Sequence, residues 1–62
     1  MTARNIQRRN PYSDQSEMLT LEEAKLYDKI KQDEINENYT DMQKGLDKFS
    51  RLNAKAYMTL LD

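Results

Sequence analysis

The stretch LDKFSRLNAKAYMTLL, residues 46–61, carries apolar residues at the three-to-four spacing of a buried helical face. The apolar members of this face are Leu46, Phe49, Ala56 and Leu60. Asn53 lies among them, although a lone amide lowers stability on such a face unless it is paired. Three interpretations stay open: pairing with its own copy in a homodimer, bonding to a larger host protein, or a place at the solvated edge of the face.

The helical pattern extends beyond this stretch. It continues toward the N-terminus as an apolar heptad typical of a coiled coil, through Ile35, Tyr39 and Met42. A chain of 62 residues has little else with which to cover so broad an apolar face, so we predict contact with another protein chain. The predicted partner-binding residues are Tyr39, Met42, Leu46, Phe49, Leu52, Asn53, Ala56, Tyr57 and Leu60.

A second helical pattern begins near Thr20. Thr20 and Glu23 have the spacing of a capping box, in which each side chain accepts a hydrogen bond from the other residue's backbone N–H. Leu26 and Ile30 then form a stripe that would face nearly opposite to the later one on a straight helix. We therefore predict an all-α fold, an extended basic arm followed by one long amphipathic helix, bent or broken near 36–40. An antiparallel helical hairpin is the alternative.

Charge is distributed unevenly along the chain. Residues 1–13 carry three arginines and no acid, whereas residues 14–37 carry eight acids against three lysines. We predict a flexible basic arm over residues 1–18 and an amphipathic helical segment over residues 19–62. The residues of the arm that could bind a partner are Arg4, Arg8, Arg9 and Tyr12. Because the adjoining acidic segment repels phosphate, a protein partner is favoured and nucleic acid is unlikely.

Composition argues against several kinds of site. The chain has no cysteine and no histidine, so it lacks the residues for disulfides, thiolate metal sites and the commonest general base. Its single glycine cannot build a glycine-rich phosphate loop. Its carboxylates lack the apolar surroundings that would raise the pKa of a catalytic acid. We therefore predict that the protein is not an enzyme and uses no metal or cofactor.

No apolar run approaches the roughly 18 residues that a membrane span needs, and the N-terminus lacks the apolar run of a secretory signal. We expect no membrane association and a cytoplasmic location, or a virion if the chain comes from a phage. The predicted function is that of a small helical interaction or structural protein. It would self-associate or dock onto a larger protein assembly, for example as a minor virion or accessory component. The alternatives are a small regulatory inhibitor of one host protein and a dimeric nucleic-acid binder that uses the arm.

Overall fold

A computed structural model of the protein describes residues 3–61. Within this range a β-hairpin precedes three helices. The elements are β1 (Ile6–Arg9), β2 (Ser16–Leu19), α1 (Leu21–Ile35), α2 (Tyr39–Leu52) and α3 (Ala54–Leu60). The two strands are antiparallel, with Ile6 opposite Leu19 at the open end and Arg9 opposite Ser16 next to the turn.

The predicted architecture is therefore wrong. Residues 6–19 form a hairpin and not an extended arm, and the helical residues form three helices and not one long helix or a coiled coil. The fold is not a plain helical hairpin either, because a sheet and α3 pack on the α1–α2 pair. The physical reason is that both apolar stripes are covered within the chain. Each break in the helix turns the next stripe toward a common core.

The hairpin turn is held by Asn10. Its backbone N–H donates to the carbonyl of Gln15 at 2.7 Å, and its carbonyl accepts from the N–H of Asp14 at 2.9 Å. The Asn10 side-chain oxygen also accepts from the N–H of Tyr12, an arrangement that favours a turn. The side-chain amide then donates to the carbonyl of Thr59, 3.1 Å away. The turn is thereby attached to α3, far along the chain.

The capping box predicted at the start of α1 is confirmed. The Thr20 hydroxyl accepts from the Glu23 N–H at 3.1 Å, and the Glu23 carboxylate accepts from the Thr20 N–H at 2.9 Å. Both residues are buried. These hydrogen bonds satisfy two backbone donors that would otherwise lack a partner, so the helix start is determined locally.

The end of α1 has the hydrogen-bond pattern of a Schellman motif. The N–H of Glu37 donates to the carbonyl of Glu34, and the N–H of Asn38 donates to that of Asp33. Glu37 adopts a left-handed backbone with φ of 60°, a conformation that usually selects glycine. The helix thus ends without glycine or proline, and α2 begins after three intervening residues.

The side chain of Asn53 separates α2 from α3. Its backbone is extended, with φ of −155° and ψ of 84°. Its side-chain oxygen accepts from the N–H of Ala56 at 3.1 Å, and its side-chain amide donates to a carboxylate oxygen of Glu23 at 3.2 Å. Asn53 is therefore the N-cap of α3 and pairs within its own chain. None of the three interpretations of the amide described this role.

The core lies where the three helices and the hairpin meet. Its buried apolar residues are Leu19, Ala24, Tyr27, Ile30, Phe49, Ala56 and Leu60. The rings of Tyr27 and Phe49 are tilted, with centroids 6.3 Å apart, a favourable arrangement for two aromatic side chains. Helices α1 and α2 are antiparallel, since Tyr27 lies beside Phe49 whereas Ile30, further along α1, packs on Gly45, which is earlier in α2.

The Glu23 carboxylate is the acceptor of a small buried network. Arg4 donates to it through Nε and Nη2, both at 3.3 Å, in addition to the bonds from Thr20 and Asn53. Burial raises the pKa of Glu23, but hydrogen bonds from these three partners outweigh burial, and the pKa lies below its ordinary value. Glu23 therefore remains ionised at neutral pH although its side chain is almost fully enclosed.

We predict that Asn53→Leu destabilises the protein although it places an apolar residue on an apolar face. The change removes the N-cap of α3 and one donor to the buried Glu23 carboxylate. The free energy of unfolding should fall by about 2–3 kcal/mol in urea denaturation at neutral pH.

Asn53→Asp separates the two roles of this side chain. Aspartate caps a helix as well as asparagine, but it would place a second carboxylate beside Glu23. We expect Asn53→Asp to be destabilising as well. A gain in stability with leucine would contradict the role assigned to Asn53.

Glu37→Gly should stabilise the protein by about 1 kcal/mol, because it relieves a left-handed backbone that an L side chain disfavours. The matched control is Gln32→Gly, an exposed position inside α1, which should lower stability by about 1 kcal/mol. Urea denaturation of both variants checks the sign. If Glu37→Gly destabilises the protein, the left-handed backbone of Glu37 does not lower the stability of the native turn.

Candidate functional site

An open cleft of about 420 Å³ runs between α1 and α2. Its floor is apolar and consists of Leu26, Ile30 and Gly45. Charged side chains flank the floor on both helices: Lys29, Asp33, Asp41, Lys44 and Lys48. The cleft thus combines charged margins with an apolar strip that solvent reaches at half-buried Leu26 and Gly45.

Gly45 allows the two helices to approach closely at this floor. A Cβ atom placed on Gly45 would lie 2.8 Å from Cγ1 of Ile30 and 3.7 Å from Cδ1 of Leu26. The first distance is shorter than a non-bonded contact between carbons allows. Ile30 is 2% exposed and has little room to move. The absence of a side chain at Gly45 therefore brings α1 against α2 and makes the floor continuous.

The α1 margin of the cleft contains an ion pair. The Lys29 ammonium donates to both carboxylate oxygens of Asp33, at 3.0 and 3.3 Å. This hydrogen bonding raises the pKa of Lys29 above its ordinary value. The Asp33 side chain is almost fully buried, whereas that of Lys29 is largely exposed. The charge of Lys29 is therefore largely compensated by its neighbour one turn along the helix.

The α2 margin is different. Lys44 and Lys48 lie one turn apart, and within residues 3–61 neither ammonium has a carboxylate oxygen inside 4.0 Å. Asp41 lies nearer the turn between the helices. Positive charge is therefore concentrated on the part of the cleft farther from that turn.

The three arginines of the predicted arm lie elsewhere and pair with the chain itself. The ion pairs are Arg4–Glu23 at 3.3 Å, Arg8–Asp28 at 2.9 Å and Arg9–Asp14 at 2.6 Å. Two of these carboxylates belong to α1, so the basic segment lies against the acidic helix. Tyr12, at the hairpin turn, is 92% exposed. Binding of a partner by these four residues stays a prediction.

The predicted helix face is divided by the fold. Phe49, Ala56 and Leu60 are buried in the core, where no partner reaches them. Met42, Leu46, Asn53 and Tyr57 are half-buried, and Tyr39 and Leu52 are exposed. The nine residues therefore do not form one continuous exposed surface. A role in binding stays a prediction for those that solvent reaches.

None of the residues that line the cleft was among the predicted site residues, and this includes Lys44, Gly45 and Lys48 of α2. Their signal in the sequence is the i,i+4 spacing of the two lysines on the side of α2 away from Phe49. Taken alone, that pattern indicates an ordinary solvated face. Only the packing of Leu26 and Ile30 beside it creates an apolar floor next to the lysines.

Two further findings concern other kinds of site. In the part of the chain that the structure describes, no three potential metal-ligating side chains come together. No helix there has the length and apolar character to cross a membrane. Comparison with protein-family models, curated proteins and solved structures found no match to this chain.

Gly45→Ala should lower the free energy of unfolding by about 1–2 kcal/mol. The added methyl group collides with buried Ile30, and this overpacking outweighs the roughly 1 kcal/mol by which alanine favours a helix. Gln43→Ala, on an exposed position of the same helix, is the control and should change stability by less than about 0.5 kcal/mol. A more stable Gly45→Ala protein would show that Ile30 yields and that the close approach is not required.

Proposed function

We propose that this protein is a small binding module that docks onto another protein through the α1–α2 cleft and acts by binding and not by catalysis. The observation that carries the proposal is the apolar floor between the two helices, which solvent reaches at half-buried Leu26 and Gly45. The ammonium groups of Lys44 and Lys48 flank this floor and have no carboxylate oxygen within 4.0 Å among residues 3–61. An apolar centre with a polar margin is the arrangement found at protein interfaces.

The distribution of charge supports a protein partner over nucleic acid. All three arginines of the N-terminal segment have a carboxylate of the same chain within 4.0 Å. In the described part of the chain, two lysines of the cleft have no carboxylate oxygen within 4.0 Å. Nucleic-acid binding, in contrast, gains its affinity from neutralising many phosphates. The acidic side chains of α1 add repulsion for a polyanion.

Outside the cleft, two apolar side chains near the turn between α1 and α2 are also exposed. Ile35 and Tyr39, on either side of the turn between α1 and α2, are 73% and 57% exposed. Neither residue lines the cleft, so self-association through them would leave the cleft open. We therefore propose that the cleft serves a different protein, and the experiment separates the two surfaces.

To test this proposal, random peptides displayed on phage are selected for binding to the immobilised protein. Each enriched peptide is then titrated into ¹⁵N-labelled protein. We expect enriched peptides to shift the amide signals of Leu26, Lys29, Gly45 and Lys48, and to leave that of Tyr12 unchanged. Light scattering of the protein alone should give the mass of a monomer.

Three outcomes would contradict the proposal. Failure to enrich any peptide would remove the evidence for a binding surface. If the selected peptides shift only the amide signals of Ile35 and Tyr39, the binding surface is the turn between α1 and α2 and not the cleft. A dimer whose formation shifts the cleft signals would make a second copy of this chain the occupant.

A further inference from the structure

We infer that the partner presents an acidic amphipathic helix, whose apolar residues contact the cleft floor and whose carboxylates, four residues apart, pair with Lys44 and Lys48. This inference rests on the proposed function and specifies its partner. It follows from the backbone chemistry of the cleft, the position of its charges and the spacing of the two lysines.

The backbone chemistry of the cleft favours a helix as occupant. Its walls are two helices whose interior backbone groups bond to one another, and its floor is formed by Leu26, Ile30 and Gly45. An extended segment lying there would bring unpaired N–H and C=O groups against surfaces that cannot bond them. A helix satisfies its own backbone and presents only side chains, so it can cover an apolar floor without that penalty.

The position of the charges also favours a helix. Lys44 and Lys48 line the cleft on the same helix as Gly45, so they lie at the margin of the floor. A strand directs successive side chains to opposite sides, so its charged residues would point away from the cleft when its apolar residues point in. A helix carries an apolar stripe with charged residues directly beside it, as at the flanking positions of a coiled coil.

The spacing of the lysines specifies the acidic residues. Lys44 and Lys48 are four residues apart on α2, a rise of about 6 Å along its axis. Carboxylates at positions i and i+4 of a helix that lies along the cleft have the same rise. Both ion pairs can then form together when the two axes are nearly aligned, as in common helix packing.

The sign of the charge follows from the imbalance between the two margins. Lys29 is already bonded to Asp33, whereas Lys44 and Lys48 have no such partner within residues 3–61. A neutral helix would partly desolvate these two ammonium groups without compensation, and a basic helix would repel them. Carboxylates on the partner remove both penalties. The protein has a net charge of −1, so the attraction is a local property of the cleft.

The test uses three synthetic helical peptides that share one leucine stripe at three-to-four spacing. The flanking i,i+4 positions carry glutamate in the first peptide, glutamine in the second and lysine in the third. Fluorescence anisotropy measures each affinity at low and high salt. We expect the glutamate peptide to bind about 10-fold more tightly than the glutamine peptide at low salt, and the advantage to shrink as salt screens the pairs.

Two double variants of the protein form a matched pair. The net charge changes from −1 to −3 in both variants, of which the first is Lys44→Gln/Lys48→Gln and the second is Lys25→Gln/Lys55→Gln. Lys25 and Lys55 do not line the cleft. We expect the first variant to lose about 10-fold in affinity for the glutamate peptide, and the second to change by less than about 2-fold.

The possible failures are distinguishable. Equal losses in the two double variants, or equal binding of glutamate and glutamine peptides in the cleft, would overturn the acidic partner and leave the docking proposal intact. Unchanged affinity of a glutamate peptide with a central proline would overturn the helical partner. If neither these peptides nor any displayed peptide shifts the cleft signals, the proposed function itself fails. If a DNA duplex or anionic vesicles bind tightly at Lys44 and Lys48 and no peptide binds there, the ligand of the cleft is nucleic acid or a membrane and not a protein.

Discussion

The buried carboxylate of Glu23 accepts hydrogen bonds from three separate parts of the chain. Thr20 starts α1, Arg4 precedes β1, and Asn53 lies at the junction of α2 and α3. A carboxylate that is nearly enclosed must have such partners, because an uncompensated buried charge costs several kcal/mol. The position of α3 and of the segment before the hairpin therefore depends on one side chain of α1. The lowered pKa of Glu23 reflects the same hydrogen bonds.

The opposite charges of the N-terminal segment and α1 are used within the molecule. Arg4 and Arg8 contact α1 carboxylates, while Ile6 and Leu19 of the hairpin pack on the core. Exposed ion pairs such as Arg8–Asp28 contribute little stability, so apolar burial supplies most of the attachment and the ion pairs contribute orientation. Among residues 3–61, the cleft lysines without a carboxylate partner lie on α2, outside the arginine-rich segment.

The cleft arises from the way in which α1 and α2 meet. The left-handed Glu37 reverses the chain within three residues, and Gly45 lets Ile30 approach the α2 backbone. Close contact along this line leaves a shallow apolar strip on the outer side of the helix pair. Lys44 and Lys48 flank the strip only because the α2 stripe that includes Phe49 is turned toward the core. The candidate site is thus a by-product of core packing between the same two helices, since Ile30 belongs both to the core and to the cleft floor.

The sequence by itself determined the start of α1, because the reciprocal bonds of Thr20 and Glu23 join residues three apart and need no other part of the chain. It also determined that residues 46–61 are mainly helical, since their apolar spacing is local. The strands were not determined in this way: Ile6 and Leu19 are covered only by helices that follow later. The position of Asn53 is compatible both with the apolar helix face and with a helix cap. The hydrogen bond from its side-chain amide to Glu23, thirty residues earlier in the chain, stabilises the cap. The cleft likewise required Ile30 to meet Gly45. Contacts between residues distant in sequence decided these features, and such contacts leave no periodic pattern in either segment alone.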